Sequence, residues 1–265
     1  MNNDTIFQIK NLKKTYAIKK GLFAKNVHIN AVNDVSFEVK RGEILSIVGE
    51  SGCGKSTTAK MLLNIETPSG GEILFEGKDI SKFSATELKA YRKKVQIIFQ
   101  DPYSSLNPRW NVGKIISEPL RLNTPLSEKE IFEKVITLMK KVGLKEEWYW
   151  RYPHQFSGGQ RQRIGIARAL ALNPEVIVCD EPVSALDVSI QAQVLNLLLD
   201  LQEEFNLTYI FISHDLGVVE HISDRIIVMY YGQIVESKDV ESLFSTPEHP
   251  YTQTLLNAIP KIDLL

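Results

Sequence analysis

The sequence predicts an α/β fold, with a mixed, mainly parallel sheet at its core, an N-terminal antiparallel β subdomain and an inserted α-helical subdomain. Three observations point there. Apolar strands alternate with helices after Pro174, the first fifty residues are strand-like around one turn, and a long helical stretch separates two strand candidates. Buried strands that alternate with helices imply parallel pairing with both faces of the sheet covered.

Residues 6–12 and 35–39 carry alternating apolar positions, and Lys40-Arg41-Gly42-Glu43 reads as a turn between strands. The polar stretch 19–30 reads as a surface loop. Residues 45–48 form a short apolar run ending at Gly49, and from Ser56 the apolar Ala59, Met61, Leu62, Leu63 and Ile65 continue as a helix. Residues 96–99 are the next strand candidate. Two prolines and an asparagine then forbid a regular element over 101–108. The chain is helical over about 112–172, where Ile131, Val135, Leu138, Met139 and Val142 fall at steps of three and four until Gly143 stops the helix. A buried strand at 176–179, a helix over 190–205, a strand at 209–212, a further helix and a strand at 226–229 complete the alternation. No internal repeat, low-complexity tract or heptad pattern is present.

With 265 residues, 43% hydrophobic and 24% charged, the chain can bury a sizeable core, which excludes disorder and collagen-like repeats. Thirty-one Lys and Arg against 32 Asp and Glu leave a formal charge of −1, so global charge gives no push toward nucleic acid or anionic lipid. Any polyanion must be held by a local site. Two cysteines, Cys53 and Cys179, argue against a disulfide framework or a four-ligand metal or iron–sulfur cluster and fit a reducing compartment. The opening MNNDTIFQIK lacks the charged and apolar regions of a secretory signal, and no run approaches the roughly 18 to 20 apolar residues of a membrane span. The expectation is a chain that serves a membrane, if at all, through a partner.

Gly49-Glu50-Ser51-Gly52-Cys53-Gly54-Lys55-Ser56 is a complete G-x-x-x-x-G-K-[ST], with a strand before it and a helix after it. Glycines let the backbone curl so that successive N–H groups face phosphate oxygens, and the positive end of the following helix adds to the attraction. Lys55 is expected at the β- and γ-phosphates, the Ser56 hydroxyl on Mg²⁺, and Thr57 joins the set at the start of the helix. A glycine-rich turn without a ligand is the bland alternative, and the flanking strand and helix weigh against it. The core is thus expected to be that of a P-loop NTPase.

The apolar strand 176–179 delivers Asp180 and Glu181 at its carboxyl end, where ligands bind in open α/β sheets. Asp180 suits a magnesium-holding role and Glu181 that of a general base on the attacking water. A surface acidic pair is the alternative, disfavoured by the phosphate loop. Phe156-Ser157-Gly158-Gly159-Gln160-Arg161-Gln162-Arg163 opens another helix with exposed N–H groups and a hydroxyl. Chemistry alone serves two readings equally: a second anion-accepting helix end, or a helix whose Ser157 caps its own amides.

In order, these residues resemble the motif set of the ATP-binding subunits of ABC transporters. Gly49 to Ser56 resembles the Walker A loop, Gln100 the Q-loop, and Ser157-Gly158-Gly159-Gln160 the family signature. Residues 176–180 resemble the Walker B strand, Ser184-Ala185-Leu186-Asp187 the D-loop, and His214 the switch histidine. Tyr16 lies where the family's adenine-stacking aromatic falls. The stretch Phe99 to Arg109 and the tail His249-Pro250-Tyr251-Thr252-Gln253-Thr254-Leu255-Leu256 are similar to the oligopeptide/dipeptide importers, a group that includes nickel and glutathione importers. Phe156 departs from the commoner leucine, but its apolar side chain can still pack under the loop. The resemblance covers essentially the whole chain.

The resemblance implies one ATPase domain over 1–265, a helical subdomain inserted at 103–172 and a short C-terminal extension over 240–265. It implies that ATP on one chain's Walker A loop is covered by the signature of another, either a sister ATPase in a heterodimer, the arrangement favoured, or a second copy. It further assigns Gln100 to sensing the γ-phosphate and Mg²⁺, His214 to the γ-phosphate, and Asp187 to joining the chains. The implied partners are two membrane permeases and, indirectly, an extracytoplasmic solute-binding protein, with the chain peripheral on the cytoplasmic face of the membrane. The implied activity is ATP hydrolysis that drives uptake of peptides or a related small solute, without nucleic acid and without an iron–sulfur cluster. A soluble ABC ATPase acting on DNA or ribosomes is the alternative, which usually carries coiled-coil insertions or two motor domains that are missing here. A nucleotide-binding regulator without turnover is a third, opposed by Glu181 and His214.

The remaining residues take plainer readings. Cys53 and Cys179 are expected to pack, not to react. Arg161, Arg163 and Arg168 are expected on a solvated face or against the core instead of on nucleic acid. Tyr16 has a core-packing alternative, and His154, His221 and His249 lack partners at metal spacing.

Overall fold

The computed structural model describes residues 4–19 and 26–258. In chain order the elements begin with β1 (Thr5–Lys19), β2 (Asn26–Lys40), β3 (Ile44–Val48), α1 (Lys55–Leu62), β4 (Gly70–Phe75), β5 (Lys78–Asp79), α2 (Ala85–Lys94) and β6 (Val95–Ile98). A helical stretch follows, with α3 (Val112–Asn123), α4 (Glu128–Lys141) and α5 (Gly158–Leu170). The chain closes with β7 (Val176–Asp180), α6 (Val188–Phe205), β8 (Thr208–Ser213), α7 (Leu216–Ile222), β9 (Arg225–Tyr230), β10 (Gln233–Asp239), α8 (Val240–Ser245) and α9 (Pro250–Asn257). Two compact units divide it, one from 1–88 with 208–265 and the other from 89–207.

The first unit holds two sheets. One is antiparallel, in the order β2-β1-β4-β5, and its alternating Phe7, Ile9, Val35 and Val39 are buried on one face. Phe7 packs on Phe75 at a ring separation of 5.0 Å. In the other sheet β3 runs parallel to both β8 and β9, and β10 adds antiparallel beyond β9. Every residue of β3 and β8 is buried, which is why these runs read as continuous apolar segments without alternation. The turn after β2 uses Gly42 at φ 73°, a left-handed conformation that suits glycine.

The second unit pairs β6 with β7 in parallel, with Val95 opposite Val176 and Ile98 opposite Cys179. Helices α3, α4 and α5 accompany them, and Ile131, Val135, Leu138 and Met139 form the buried stripe of α4. Its N-terminus carries a capping box: Ser127 accepts from the Glu130 N–H while the Glu130 carboxylate accepts from the Ser127 N–H. The architecture is the α/β class that the sequence predicts.

Two local expectations change, and one strand is added. Strand β2 begins at Asn26, with His28 opposite Ala17 and Ile29 opposite Tyr16, so 26–30 are strand and not loop. This end of the hairpin is exposed at residues 28–30 and shows no hydrophobic alternation to read; residues 20–25 of the expected loop lie outside the described residues. Helix α1 ends at Leu62, because Asn64 at φ 51° turns the chain away and leaves Ile65 largely exposed. Strand β10, which the sequence reading did not include, adds antiparallel at the edge and makes the sheet mixed and mainly parallel, as expected.

Candidate functional site

The site residues of the first unit gather around the loop that follows β3. Gly49 sits at φ 146°, Gly52 at 83° and Gly54 at 107°. A Cβ on Gly49 would lie 2.2 Å from the Met229 carbonyl oxygen and one on Gly54 2.3 Å from that of Ala31, so neither position admits a side chain. Glu50, Ser51, Gly52 and Cys53 form the curl, with the Cys53 N–H donating to Glu50 O at 3.3 Å and the Gly232 N–H to Cys53 O at 3.0 Å. Gly54 caps α1, whose first three residues are Lys55, Ser56 and Thr57.

Lys55 is buried, and its ammonium donates to Gly49 O at 2.6 Å and Glu50 O at 2.9 Å, which spans the loop with positive charge. Burial pushes the Cys53 thiol up, against the pull of nearby Lys55, so it is a neutral packing group. Tyr16 is half-buried, and its hydroxyl bonds the Glu66 carboxylate, which also pairs with Lys14 at 3.4 Å. Burial and the Glu66 bond raise the Tyr16 phenol, while the bond from Tyr16 holds the Glu66 carboxyl below its usual range. Thr57, at the start of α1, acts on the Tyr16 phenol in the opposite sense and lowers it. Exposed His214 leaves the end of β8 on a bend held on both sides. Ser213 Oγ accepts from the Asp215 N–H at 3.0 Å, and the Asp215 carboxylate caps α7 through Gly217.

In the second unit, parallel pairing of β6 and β7 brings their carboxyl ends side by side. Two residues past each paired end, the Gln100 amide donates to the Glu181 carboxylate at 2.8 Å. Asp180 ends β7, and Glu181 takes φ 47°, a left-handed conformation that carries strain for a side chain. Ser184 secures this turn by donating its N–H and its hydroxyl to Glu181 O. Asp187 begins α6 without capping it by its side chain. Cys179 is fully buried in β7, where burial and then the Asp180 charge push its thiol far up.

Ser157 caps α5: its hydroxyl accepts from the Gln160 N–H, and the Gln160 amide oxygen accepts from the Ser157 N–H at 3.0 Å. The capping reading is therefore realised. The glycines have a further reason, since a Cβ on Gly159 would meet Ile190 at 2.4 Å and one on Gly158 would meet Leu186 at 3.2 Å. The signature thus lies against the D-loop and the start of α6. Phe156 is buried edge-on to Trp148 at 5.5 Å, so the departure from leucine is absorbed by aromatic packing.

The three arginines of α5 are used inside the unit. Arg161 donates to Pro153 O at 2.7 Å and covers the Tyr103 ring, Arg163 donates to Val142 O at 2.8 Å, and Arg168 donates to Ser105 O at 2.6 Å. In the first unit, His249 caps α9 through its ring nitrogen.

Two contacts escaped the sequence. The Glu66 partner of Tyr16 carries no motif of its own. The Tyr251 hydroxyl accepts from the Glu50 N–H at 2.9 Å across 201 positions of sequence, a pairing no spacing rule reaches. The tail resemblance marked Tyr251 without giving it a place.

A model of the ABC transporter family matches residues 32–184, and one of the oligopeptide/dipeptide transporter C-terminal region matches 235–264. The chain belongs to the ABC transporter family and is one of its ATP-hydrolysing subunits. It is 55% identical over 260 residues to the dipeptide transport ATP-binding protein DppF of Haemophilus influenzae, spanning 98% of this chain and 80% of that protein. It is likewise 55% identical over 261 residues to the oligopeptide transport ATP-binding protein AppF of Bacillus subtilis, spanning 98% and 79%. Among solved structures it resembles the dimeric, post-hydrolysis ATP-binding cassette MJ0796 bound to ADP and Pi, with a TM-score of 0.78 at 31% identity over 89% of this chain and 99% of that one.

Proposed function

We propose that this chain is the ATP-hydrolysing motor subunit of an importer of peptides or related small solutes. The observation that carries the reading is the match through both the ABC core, 32–184, and the peptide-transporter C-terminal region, 235–264. A soluble ATPase of DNA or ribosomes is not favoured, since DppF and AppF are transport proteins by name. Among the described residues no helix is long and apolar enough to cross a membrane, so the motor works through partners. Those partners are two permeases, with a solute-binding protein beyond them and a sister ATPase or a second copy facing this chain. The chain sits peripherally on the cytoplasmic face of the membrane.

The residue roles are taken from the resemblance, and local geometry supports them. The loop 49–54 and the N-terminus of α1 cradle the phosphates by backbone N–H groups, and Lys55 supplies a positive charge to the β- and γ-phosphates. Tyr16, steadied by Glu66, offers its ring to the adenine. Glu181 orients and deprotonates the attacking water, with its carboxylate aimed by Gln100. His214 contacts the γ-phosphate from the end of β8, while Ser157 to Gln160 and Asp187 serve the facing chain.

The hydroxyl of Ser56, the amide oxygen of Gln100 and the carboxylate of Asp180 are hard oxygen donors of the kind Mg²⁺ takes alongside phosphate. The Gln100 amide nitrogen already donates to Glu181, which leaves its oxygen as the acceptor that such a role needs. When bound, Mg²⁺ neutralises charge on the β- and γ-phosphate oxygens.

Purification from detergent-solubilised native membranes, with co-purifying proteins identified by mass spectrometry, tests the reading. Two multi-span permeases are the expected result. Reproducible recovery of ribosomal or DNA-associated proteins without permeases would overturn the importer assignment.

A further inference from the structure

The phosphate loop is braced from outside the motif set. The Glu50 N–H donates to the Tyr251 hydroxyl at 2.9 Å. The Glu50 carbonyl on the next peptide accepts from the Cys53 N–H at 3.3 Å and from Lys55 Nζ at 2.9 Å. Glu50 is therefore a relay: one of its peptides is pinned by a side chain of α9, and the next holds the lysine of the loop.

Tyr251 is itself held firmly. It is 8% exposed and packs its ring on Tyr230 at 4.1 Å with an interplanar angle of 33°. Tyr230 ends β9, the strand whose Met229 carbonyl occupies the space a Cβ of Gly49 would need. At the other side, the buried Glu236 carboxylate of β10 accepts from the Glu248 N–H at 2.9 Å and the His249 N–H at 3.0 Å, which anchors the entry to α9. The frame from β9 through β10 to α9 thus returns the chain to the loop with one hydroxyl at its tip.

We propose that Tyr251 is a positioning residue of the nucleotide site, so that α9 braces the phosphate loop and ATP binding is coupled to the order of the C-terminal region. The proposal rests on the reading of 49–56 as the ATP loop. The hydroxyl acts through Glu50 on the orientation of the loop and of Lys55, so it governs binding of the phosphate chain and not the chemical step. Coupling is reciprocal, so bound ATP must in turn order α9.

The test uses the full chain and its Tyr251→Phe and Lys55→Ala variants, with ATP affinity, steady-state ATPase and backbone hydrogen exchange measured on each. Tyr251→Phe removes the hydroxyl and keeps the ring, and loss of one hydrogen bond of ordinary strength predicts a Kd for ATP raised about three- to tenfold. Its kcat is expected within about twofold of the parent, and its unfolding temperature without nucleotide within about 2 °C. Parent-like ATP affinity in Tyr251→Phe, with binding lost in Lys55→Ala, overturns the brace and leaves the nucleotide reading standing. Parent-like affinity in Lys55→Ala overturns the nucleotide reading and the brace with it. Should Tyr251→Phe fail to fold, exchange on the parent decides: slower exchange over 248–258 on adding ATP supports the coupling, and unchanged exchange overturns it.

Discussion

Glu181 holds φ 47° at the end of β7, a conformation that costs a side chain on the order of 1–3 kcal/mol. The surrounding bonds over-determine it, with Ser184 on its carbonyl and Gln100 on its carboxylate. If Gln100 aims the base, Gln100→Ala lowers kcat about tenfold with ATP affinity within about threefold, as steady-state assays and equilibrium binding would report. An unchanged kcat would remove Gln100 from the machinery. Gly54 is constrained differently, by φ 107° and by the Ala31 carbonyl 2.3 Å from its missing Cβ. Gly54→Ala is expected to lower stability by about 2 kcal/mol or more and to abolish ATP binding. Denaturant unfolding with parent-like stability would show that the loop relaxes freely. The motif residues were legible in the sequence because their chemistry is local: curl, lysine and hydroxyl follow one another within eight positions. The pairing of Gln100 with Glu181 was not, because it exists only once β6 and β7 align.

Elements were legible where burial imposed a pattern. The fully buried β3 and β8 and the stripe of α4 announce themselves by runs or by steps of three and four. Strands β5 and β10 do not, since one spans two residues and the other is an edge strand rich in polar residues with a single buried side chain. Yet β10 carries the anchor of α9. Burial alone would raise the Glu236 carboxyl, but the Thr252 hydroxyl, the N–H groups of Glu248 and His249, and Lys238 more than offset it and bring it down to about 2 from 4.5. A carboxyl lowered in the folded state contributes stability above its unfolded pKa and loses it as pH falls toward the folded value. A shift of this size corresponds to about 3 kcal/mol, present above about pH 5 and lost progressively down to about pH 2. Unfolding of parent and Glu236→Gln should therefore differ most at pH 7 and converge near pH 2 to 3. A difference independent of pH would contradict the ionised anchor.

At the scale of the molecule, the balanced charge of −1 leaves recognition of a polyanion to local sites, and the loop of the first unit, spanned by Lys55, carries the positive charge such a site needs. That loop is glycine-curled and braced by β9, β10 and α9, while the second unit pairs the Gln100 amide with the Glu181 carboxylate. The order of motifs along the chain made the family legible before any strand was paired. The brace from Tyr251 was not legible, because it joins residues 201 positions apart through a frame whose last strand carries little hydrophobic pattern.

If Glu181 is the base of ATP hydrolysis and the loop binds ATP independently of it, hydrolysis and binding come apart in Glu181→Gln. Single-turnover and steady-state hydrolysis by Glu181→Gln, alongside its ATP affinity, tests it most directly. Turnover is expected to fall on the order of a hundredfold or more, with ATP still bound within about threefold of the parent affinity. Hydrolysis at the parent rate would contradict it.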